Sequence, residues 1–224
     1  MSASRKGPTG PSNTEVAVAA VFSLALGAII GAALLVIQPV ATVKELPAEK
    51  DRPRGAVYFV EGGRDSSKSA EAIRKRQLFM GGQSVSLSEE ELNLVFASPA
   101  PRPGEKTTQP EVVIAGVFAV GEPNLRIADG LIQLAAPVRL TLPDLGVKFI
   151  AQFRGTMVKK AEGFVFEPRE MYLGGCPLGA FPFVGGVIRS RLGTVEVVPG
   201  ELRANWARLV DASVDGRLLR LRLP

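Results

Sequence analysis

The chain contains few side chains that could form a catalytic or metal site. Among its 224 residues there is no histidine, and Cys176 is the only cysteine. Histidine is the commonest general base and the commonest metal ligand, so its absence removes both roles together. Cys176 has no histidine to activate it and no second cysteine with which to form an intramolecular disulfide. We therefore interpret Cys176 as a small, buried, apolar side chain.

Three consecutive carboxylates, Glu89 to Glu91, are the strongest remaining candidates for acid–base chemistry. Ser88 precedes them, and the spacing of Ser88 and Glu91 is that of a capping box at the start of a helix. Acids in the first turn are also stabilised by the helix dipole. A paired-carboxylate active site is the alternative, but capping accounts for the whole cluster. We predict no catalytic residue, no metal ligand and no cofactor, and therefore a protein that is not an enzyme.

One apolar stretch dominates the sequence. Residues 16–37, VAVAAVFSLALGAIIGAALLVI, contain no charge and one polar side chain, Ser23. A helix rises about 1.5 Å per residue, so this stretch is long enough to span the ~30 Å hydrocarbon core of a bilayer. It is longer than the apolar core of a signal peptide, and no clear cleavage site follows it. The sequence predicts a short polar tail at 1–15 and an uncleaved transmembrane helix at 16–38.

The distribution of charge bears on orientation and on partners. Basic residues are slightly more numerous just after the helix than before it, which favours a cytoplasmic domain. Long domains, however, translocate largely regardless of charge, and a short tail before a long domain is the usual signal-anchor layout. We therefore expect a cytoplasmic N-terminus.

The net charge of +5 favours anionic lipid head groups first and an acidic partner second. With 6% aromatic residues and no recognised motif, nucleic acid is not expected.

A stripe of small residues marks one face of the predicted helix. Ala19, Ser23, Gly27 and Gly31 recur at every fourth position, where missing side chains let another helix approach closely. This spacing favours packing against a second copy of the chain, as a homodimer, or against another membrane subunit. The alternative is that small residues are simply abundant in such helices.

Residues 39–82 predict a linker or stalk rather than a domain. The segment is charged near the membrane and contains Pro47 and Pro53. A short apolar run at 55–60 predicts one strand. Residues 66–80 predict a basic helix, which ends at the following glycine pair.

Residues 83–224 predict one extracytoplasmic α+β domain. A strand and the capped helix come first, and from residue 111 onward apolar and polar residues alternate as in half-buried strands. Asp129-Gly130 and Asp215-Gly216 predict hairpin turns, because glycine supplies the positive φ that such turns need. The predicted fold is α+β, with one N-terminal transmembrane helix followed by a curved antiparallel β-meander packed with a few helices.

The order of these parts resembles a known group. The resemblance rests on "SLSEEELNLVF" at 86–96, "LGAFPF" at 178–183, and the C-terminal pattern from Trp206 through "LVDASVDGRLLRLRLP". This layout resembles the YpmS-like group of bacterial membrane-anchored extracytoplasmic proteins, and it is similar to groups that resemble the lipid-binding TULIP superfamily. The resemblance covers about residues 83–224. It implies a curved sheet around a helix, an apolar groove for acyl chains, and a bacterial cytoplasmic (inner) membrane with the domain on its periplasmic or extracellular side.

Our first hypothesis is a non-catalytic, single-pass membrane protein whose extracytoplasmic domain binds or shields lipid or lipid-like ligands. The alternative is an accessory or assembly subunit of a larger membrane protein complex. An amphipathic sheet can also cover its apolar face with its own helices, in which case the same side chains are core. The predicted groove residues are Phe149, Phe153, Phe164, Phe166, Phe181, Phe183 and Val187.

Overall fold

The structure has a long apolar helix at its N-terminus, followed by antiparallel sheets and a few short helices, which confirms the α+β class. It is a computed structural model. The residues it describes are 12–96, 112–114, 118–141, 146–161, 163–181, 185–186, 198 and 200–224.

The first helix, α1, runs from Asn13 to Ile37 and begins in a capping box between Ser12 and Glu15. None of the residues of α1 is buried, and its own apolar side chains are exposed on all sides of the helix. In length and composition α1 is able to cross a membrane. The last turn of α1 contacts the domain: the amide of Gly175 donates a hydrogen bond of 2.9 Å to the carbonyl of Leu35.

The main sheet is an antiparallel meander. Its strand order is β10-β9-β8-β7-β5-β4, with β6 also paired to β7. Alternating apolar and polar residues build the long central strands, as the period of two predicts. The strands are β4 (Val112–Ile114), β5 (Phe118–Val120), β6 (Asn124–Ala128), β7 (Leu131–Leu140), β8 (Lys148–Lys160), β9 (Gly163–Leu173) and β10 (Cys176–Pro177).

The structure confirms the predicted turn at Asp129-Gly130 and shifts the second predicted turn by one residue. Asp129 and Gly130 both have positive φ, at 55° and 71°, and join β6 to β7 as an Asp-Gly turn requires. At the C-terminus Asp215 pairs with Leu218, so the loop itself is Gly216–Arg217, one residue later than the predicted dipeptide. Gly216 has a φ of 60°.

A smaller sheet and three helices pack against the main sheet. The strand order of this sheet is β11-β12-β3, all antiparallel. Its elements and the helices are α2 (Ser69–Met80), β3 (Val85–Ser88), α3 (Glu89–Phe96), α4 (Arg203–Ala207), β11 (Asp211–Asp215) and β12 (Leu218–Arg222). The core lies between these elements and one face of the main sheet.

Two buried asparagines connect the helices to their surroundings. Asn93 on α3 donates to the carbonyls of Gly63 and Leu125 and accepts from the amide of Leu125, at 2.7–2.8 Å. Asn205 on α4 donates to the carbonyls of Phe79 and Met80, where α2 ends. Each side chain thus forms hydrogen bonds with backbone groups that have no partner in a helix or in a sheet ladder.

Residues 39–82 contain regular structure in contact with the domain. β1 (Ala41–Val43) and β2 (Tyr58–Val60) form a parallel pair. α2 buries Ala72 and Phe79, and Phe79 belongs to the core. The region that the sequence predicts as a linker or stalk therefore includes a helix whose C-terminal end packs into the core.

Candidate functional site

An apolar cavity lies between the main sheet, the smaller sheet and the helices. Its volume is about 110 Å³. Its walls are apolar side chains from both sheets and from α2, α3 and α4. The apolar residues around it are Phe79, Val85, Leu87, Leu92, Val95, Phe96, Leu125, Ile132, Leu134, Met157, Phe166, Val198, Leu202, Trp206, Leu219 and Leu221.

Trp206, the only tryptophan, forms part of this wall. Its indole Nε1 donates a 2.8 Å hydrogen bond to the carbonyl of Phe164 on β9. This bond satisfies the polar atom of the ring, so the rest of the indole can face the cavity. Phe166, two residues along the same strand, also borders the cavity, whereas Phe164 is a buried member of the core.

Two cationic side chains, Lys75 and Arg76 on α2, complete the boundary of the cavity. Long basic side chains can line apolar space with their methylene stems while their charged ends point elsewhere. Lys75 Nζ bonds both oxygens of Glu91, at 2.7 and 2.8 Å, and Arg76 pairs with Glu201. The cavity therefore has an apolar interior and a paired, charged margin.

The other predicted groove residues divide into three groups. Phe149 and Phe153 on β8 are half-buried and pair with Val138 and Leu134, so by strand register they share the face of the sheet that carries the cavity. Phe153 also lines the second space described below. Phe181 is half-buried after the short helical turn that follows β10. Phe183 and Val187 lie outside the described residues. Of the seven, only Phe166 borders the cavity itself.

The three consecutive glutamates all have partners that stabilise the fold. Glu89 accepts from the amides of Gly63 and Ile127, and so connects α3 to β6. Glu91, which is 4% exposed, accepts from the amide of Ser88 and pairs with Lys75. The capping box is therefore present, and the reciprocal bond runs from the amide of Glu91 to the Ser88 hydroxyl.

Glu90 is a carboxylate whose pKa is lowered strongly, among the residues that the structure describes. A hydrogen bond from the Ser88 hydroxyl, a backbone hydrogen bond and the ammonium of Lys68 lower the pKa of Glu90 from 4.5 to about 2. These interactions keep it ionised, so it is unsuited to the role of a general acid near neutral pH. Cys176 is 2% exposed, as predicted, and burial raises the pKa of its thiol.

The basic residues of α2 are engaged within the protein. Arg74 pairs with Glu71 on the same helix, and Lys75 and Arg76 pair with Glu91 and Glu201. Because each has an acidic partner, this face offers little unpaired charge to lipid head groups.

The small residues of α1 lie on an uncovered surface. Ala19, Ser23 and Gly27 are exposed and Gly31 is half-buried. No described atom lies within 4 Å of the position that a Cβ would take at Gly27 or Gly31. The stripe is therefore open to contact with another helix.

Several residues around the cavity could not be assigned from sequence. Trp206 stands in a short helix with no strong period, and the apolar pair Leu78–Phe79 ends a helix whose middle is basic. The buried Lys75–Glu91 pair joins residues on two helices, and only the packing of α2 on α3 brings them together. Two signals in the sequence do point to cavity residues: the helical spacing of Leu92, Val95 and Phe96, and the strand alternation that includes Phe166.

Comparison with known proteins gives no family assignment. No family model matches the chain, and no curated protein and no solved structure is significantly similar to it. The resemblance to the YpmS-like group remains a prediction that rests on the order of the elements.

Proposed function

We propose that the protein is a single-pass, non-catalytic membrane protein whose domain binds or shields a lipid or lipid-like ligand. The observation that supports this most is the apolar cavity beside Trp206, with Lys75 and Arg76 at its margin. An apolar interior next to charged side chains suits an amphiphile, whose tail is driven from water while its polar end stays hydrated.

The size of the cavity limits how much of the ligand can enter. An apolar cavity of ~150 Å³ is enough for benzene, and drug-sized ligands occupy roughly 300–1,000 Å³. With about 110 Å³, this cavity accepts only the last few carbons of an acyl chain. The remainder of the ligand would lie outside the cavity.

Attachment to the membrane is part of the same proposal. α1 exposes large apolar side chains along its whole length, including Phe22 at 71% and Leu24 at 74%. Exposure of such a surface to water is unfavourable, and a bilayer would cover it. We place α1 in a bacterial cytoplasmic membrane with the N-terminus inside.

Full-length protein should resist extraction by high salt and carbonate, and its release would contradict an anchor. Protease added to spheroplasts should digest the domain, whereas full protection would reverse the orientation.

Ligand binding can be tested by extracting full-length protein in detergent and identifying co-purifying molecules by mass spectrometry. Val95 borders the cavity, so Val95→Phe should fill it and reduce the amount of bound lipid. Val210 is 41% exposed and does not border the cavity, so Val210→Phe is the matched control. Equal lipid content in wild type and both variants, or no lipid in any of them, would contradict this function.

The uncovered small-residue face favours a second candidate, an accessory subunit of a larger membrane complex. Gly27→Leu or Gly31→Leu should then reduce recovery of a co-purifying subunit or a dimer, because a bulky side chain holds the helices apart. Ala28→Leu, on another face, is the control. Equal effects at all three positions would remove the case for this interface.

A further inference from the structure

A second space, separate from the apolar cavity, lies on the opposite face of the main sheet. Leu134 borders the apolar cavity, and Gln133 borders this second space. Adjacent strand residues point to opposite faces, so the two spaces lie on the two sides of the sheet. The second space is a groove of about 520 Å³, covered by the segment that includes Arg52 and Tyr58. We call it the polar groove.

The floor of the polar groove is built from two rows of residues that the strand register places side by side. The first row runs across four strands as Arg126, Gln133, Arg154 and Glu170. In the second row Gln152 pairs with Tyr172. Tyr172 and Tyr58 are the only tyrosines in the chain, and both border the groove.

Gln152 is the most unusual residue of this floor. It is 5% exposed, and its Oε1 accepts a 3.2 Å hydrogen bond from the Gln133 amide. Its Nε2 has no hydrogen-bond partner among the residues that the structure describes. Exchanging the amide oxygen and nitrogen would leave the oxygen unpaired instead, so one buried polar atom lacks a partner either way. Such an atom is costly in a folded protein unless a ligand or water pairs with it.

Three arginines, Arg52, Arg126 and Arg154, border the groove together with two acids, Asp129 and Glu170, so the net charge of its lining is positive. The Arg126 side chain has no hydrogen bond or ion pair to another described residue, and Arg52 donates through Nε to the carbonyl of Pro47. Arg154 pairs with Asp129 at 2.7 Å, but that aspartate is 80% exposed, which makes the pair weak. Planar guanidinium forks bind phosphate oxygens in pairs. The carboxylate of Glu170, beside Arg154, can accept from a hydroxyl or an ammonium group.

The groove lies next to the end of α1. The turn Gly174–Gly175 contacts the last turn of the helix, and the amide of Gly174 also donates to the carbonyl of Ile150 at 2.8 Å. Tyr172 and Gln152 are each two residues from this junction, which corresponds to ~7 Å along a strand. If α1 spans the bilayer, this proximity puts the groove near the level of the lipid head groups.

We propose that the polar groove binds the phosphate-bearing head group of a lipid in the leaflet from which α1 emerges. The phosphate would lie between Arg126 and Arg154, with the remaining polar groups of the head near Glu170 and Gln152. This inference rests on the proposed membrane attachment, but it does not depend on binding in the apolar cavity.

The test uses full-length protein in detergent and calorimetric titration with glycerophosphoethanolamine, the head group without its acyl chains. Wild type should bind, and Arg126→Gln and Arg154→Gln should each weaken binding at least tenfold. Arg74→Gln is the matched control, because Arg74 is 68% exposed on α2 and does not border the groove. It should change the Kd less than twofold. Melting temperatures of all variants establish that the fold is retained.

Each alternative outcome contradicts a stated part of the inference. Absence of binding, or equal binding by wild type and both groove variants, would remove the site. Inorganic phosphate that binds as tightly as glycerophosphoethanolamine would make free phosphate the ligand and overturn the head-group assignment. Release of full-length protein by a carbonate wash would overturn the membrane source even if binding persists. Loss of lipid co-purification in Val95→Phe, by contrast, reports only on the apolar cavity.

Discussion

The two faces of the main sheet differ in how they are covered. One face packs against helices and a smaller sheet, and the space left between them is apolar and about 110 Å³. The other face carries arginines, glutamines and a glutamate, and the segment that includes Arg52 and Tyr58 covers it, leaving a groove of about 520 Å³. This difference shows that strand alternation determines which residues share a face of the sheet. The elements that pack on that face determine whether it becomes hydrophobic core or a binding groove.

The largest expected effect lies at the margin of the apolar face. Lys75→Met would leave the buried carboxylate of Glu91 without its charged partner, and should lower the free energy of unfolding by about 3–5 kcal/mol. Arg74→Met, which breaks the exposed pair with Glu71 on the same helix, should cost less than about 1 kcal/mol. Urea denaturation of both variants measures the difference. Equal costs would show that Glu91 is not as desolvated as its position indicates.

A smaller effect is expected from the apolar wall itself. Phe166→Leu keeps the wall apolar and should lower the free energy of unfolding by about 1 kcal/mol. Because Phe166 borders the cavity, the same change should alter which acyl lengths co-purify. Phe118→Leu, at a position that is 39% exposed, is the control and should change neither property. A variant that changes only the melting temperature would identify Phe166 as ordinary core.

On the polar face, replacing the buried amide of Gln152 should not lower the free energy of unfolding. Gln152→Leu removes a buried amide whose Nε2 has no partner among the described residues, so it should leave stability unchanged or raise it by up to about 1 kcal/mol. Gln133→Leu should instead lower stability by about 1 kcal/mol, because it leaves both polar atoms of Gln152 unpaired. Thermal denaturation distinguishes the two variants. Destabilisation by Gln152→Leu larger than that by Gln133→Leu would contradict the account of the groove.

Glu90, in the first turn of α3, should give the domain a dependence on acid pH. The pKa of Glu90 is lowered from 4.5 to about 2 by its bonds to Ser88 and Lys68. A lowered pKa means that the stabilisation is complete above pH ~4.5 and is lost as the pH falls toward 2. Glu90→Gln should flatten the stability profile in this window. An identical profile for wild type and variant would show that other carboxylates carry the acid response.

The sequence predicts the secondary structure and the faces of the strands well, for physical reasons. The period of two in residues such as Phe149 and Phe153, and the left-handed turn at Asp129-Gly130, are local properties. The capping box at Ser88 and the apolar run of α1 are also local.

The composition of the sites could not be predicted, because it depends on contacts between distant segments. Lys75 meets Glu91, and Trp206 meets Phe164, only through the packing of helices and strands. The polar residues of the outer face look like ordinary solvent-facing positions until the segment around Tyr58 is folded over them. The size of each space likewise depends on packing and not on composition.

Quenching of Trp206 fluorescence tests the central claim most directly, since this is the only tryptophan and it borders the apolar cavity. Full-length protein in nanodiscs would be titrated with a fatty acid brominated at the end of its chain, because bromine quenches indole only at short range. We predict saturable quenching in wild type and in Val210→Phe, and strongly reduced quenching in Val95→Phe. No quenching, or the same quenching in all three proteins, would contradict the binding of an acyl chain in this cavity.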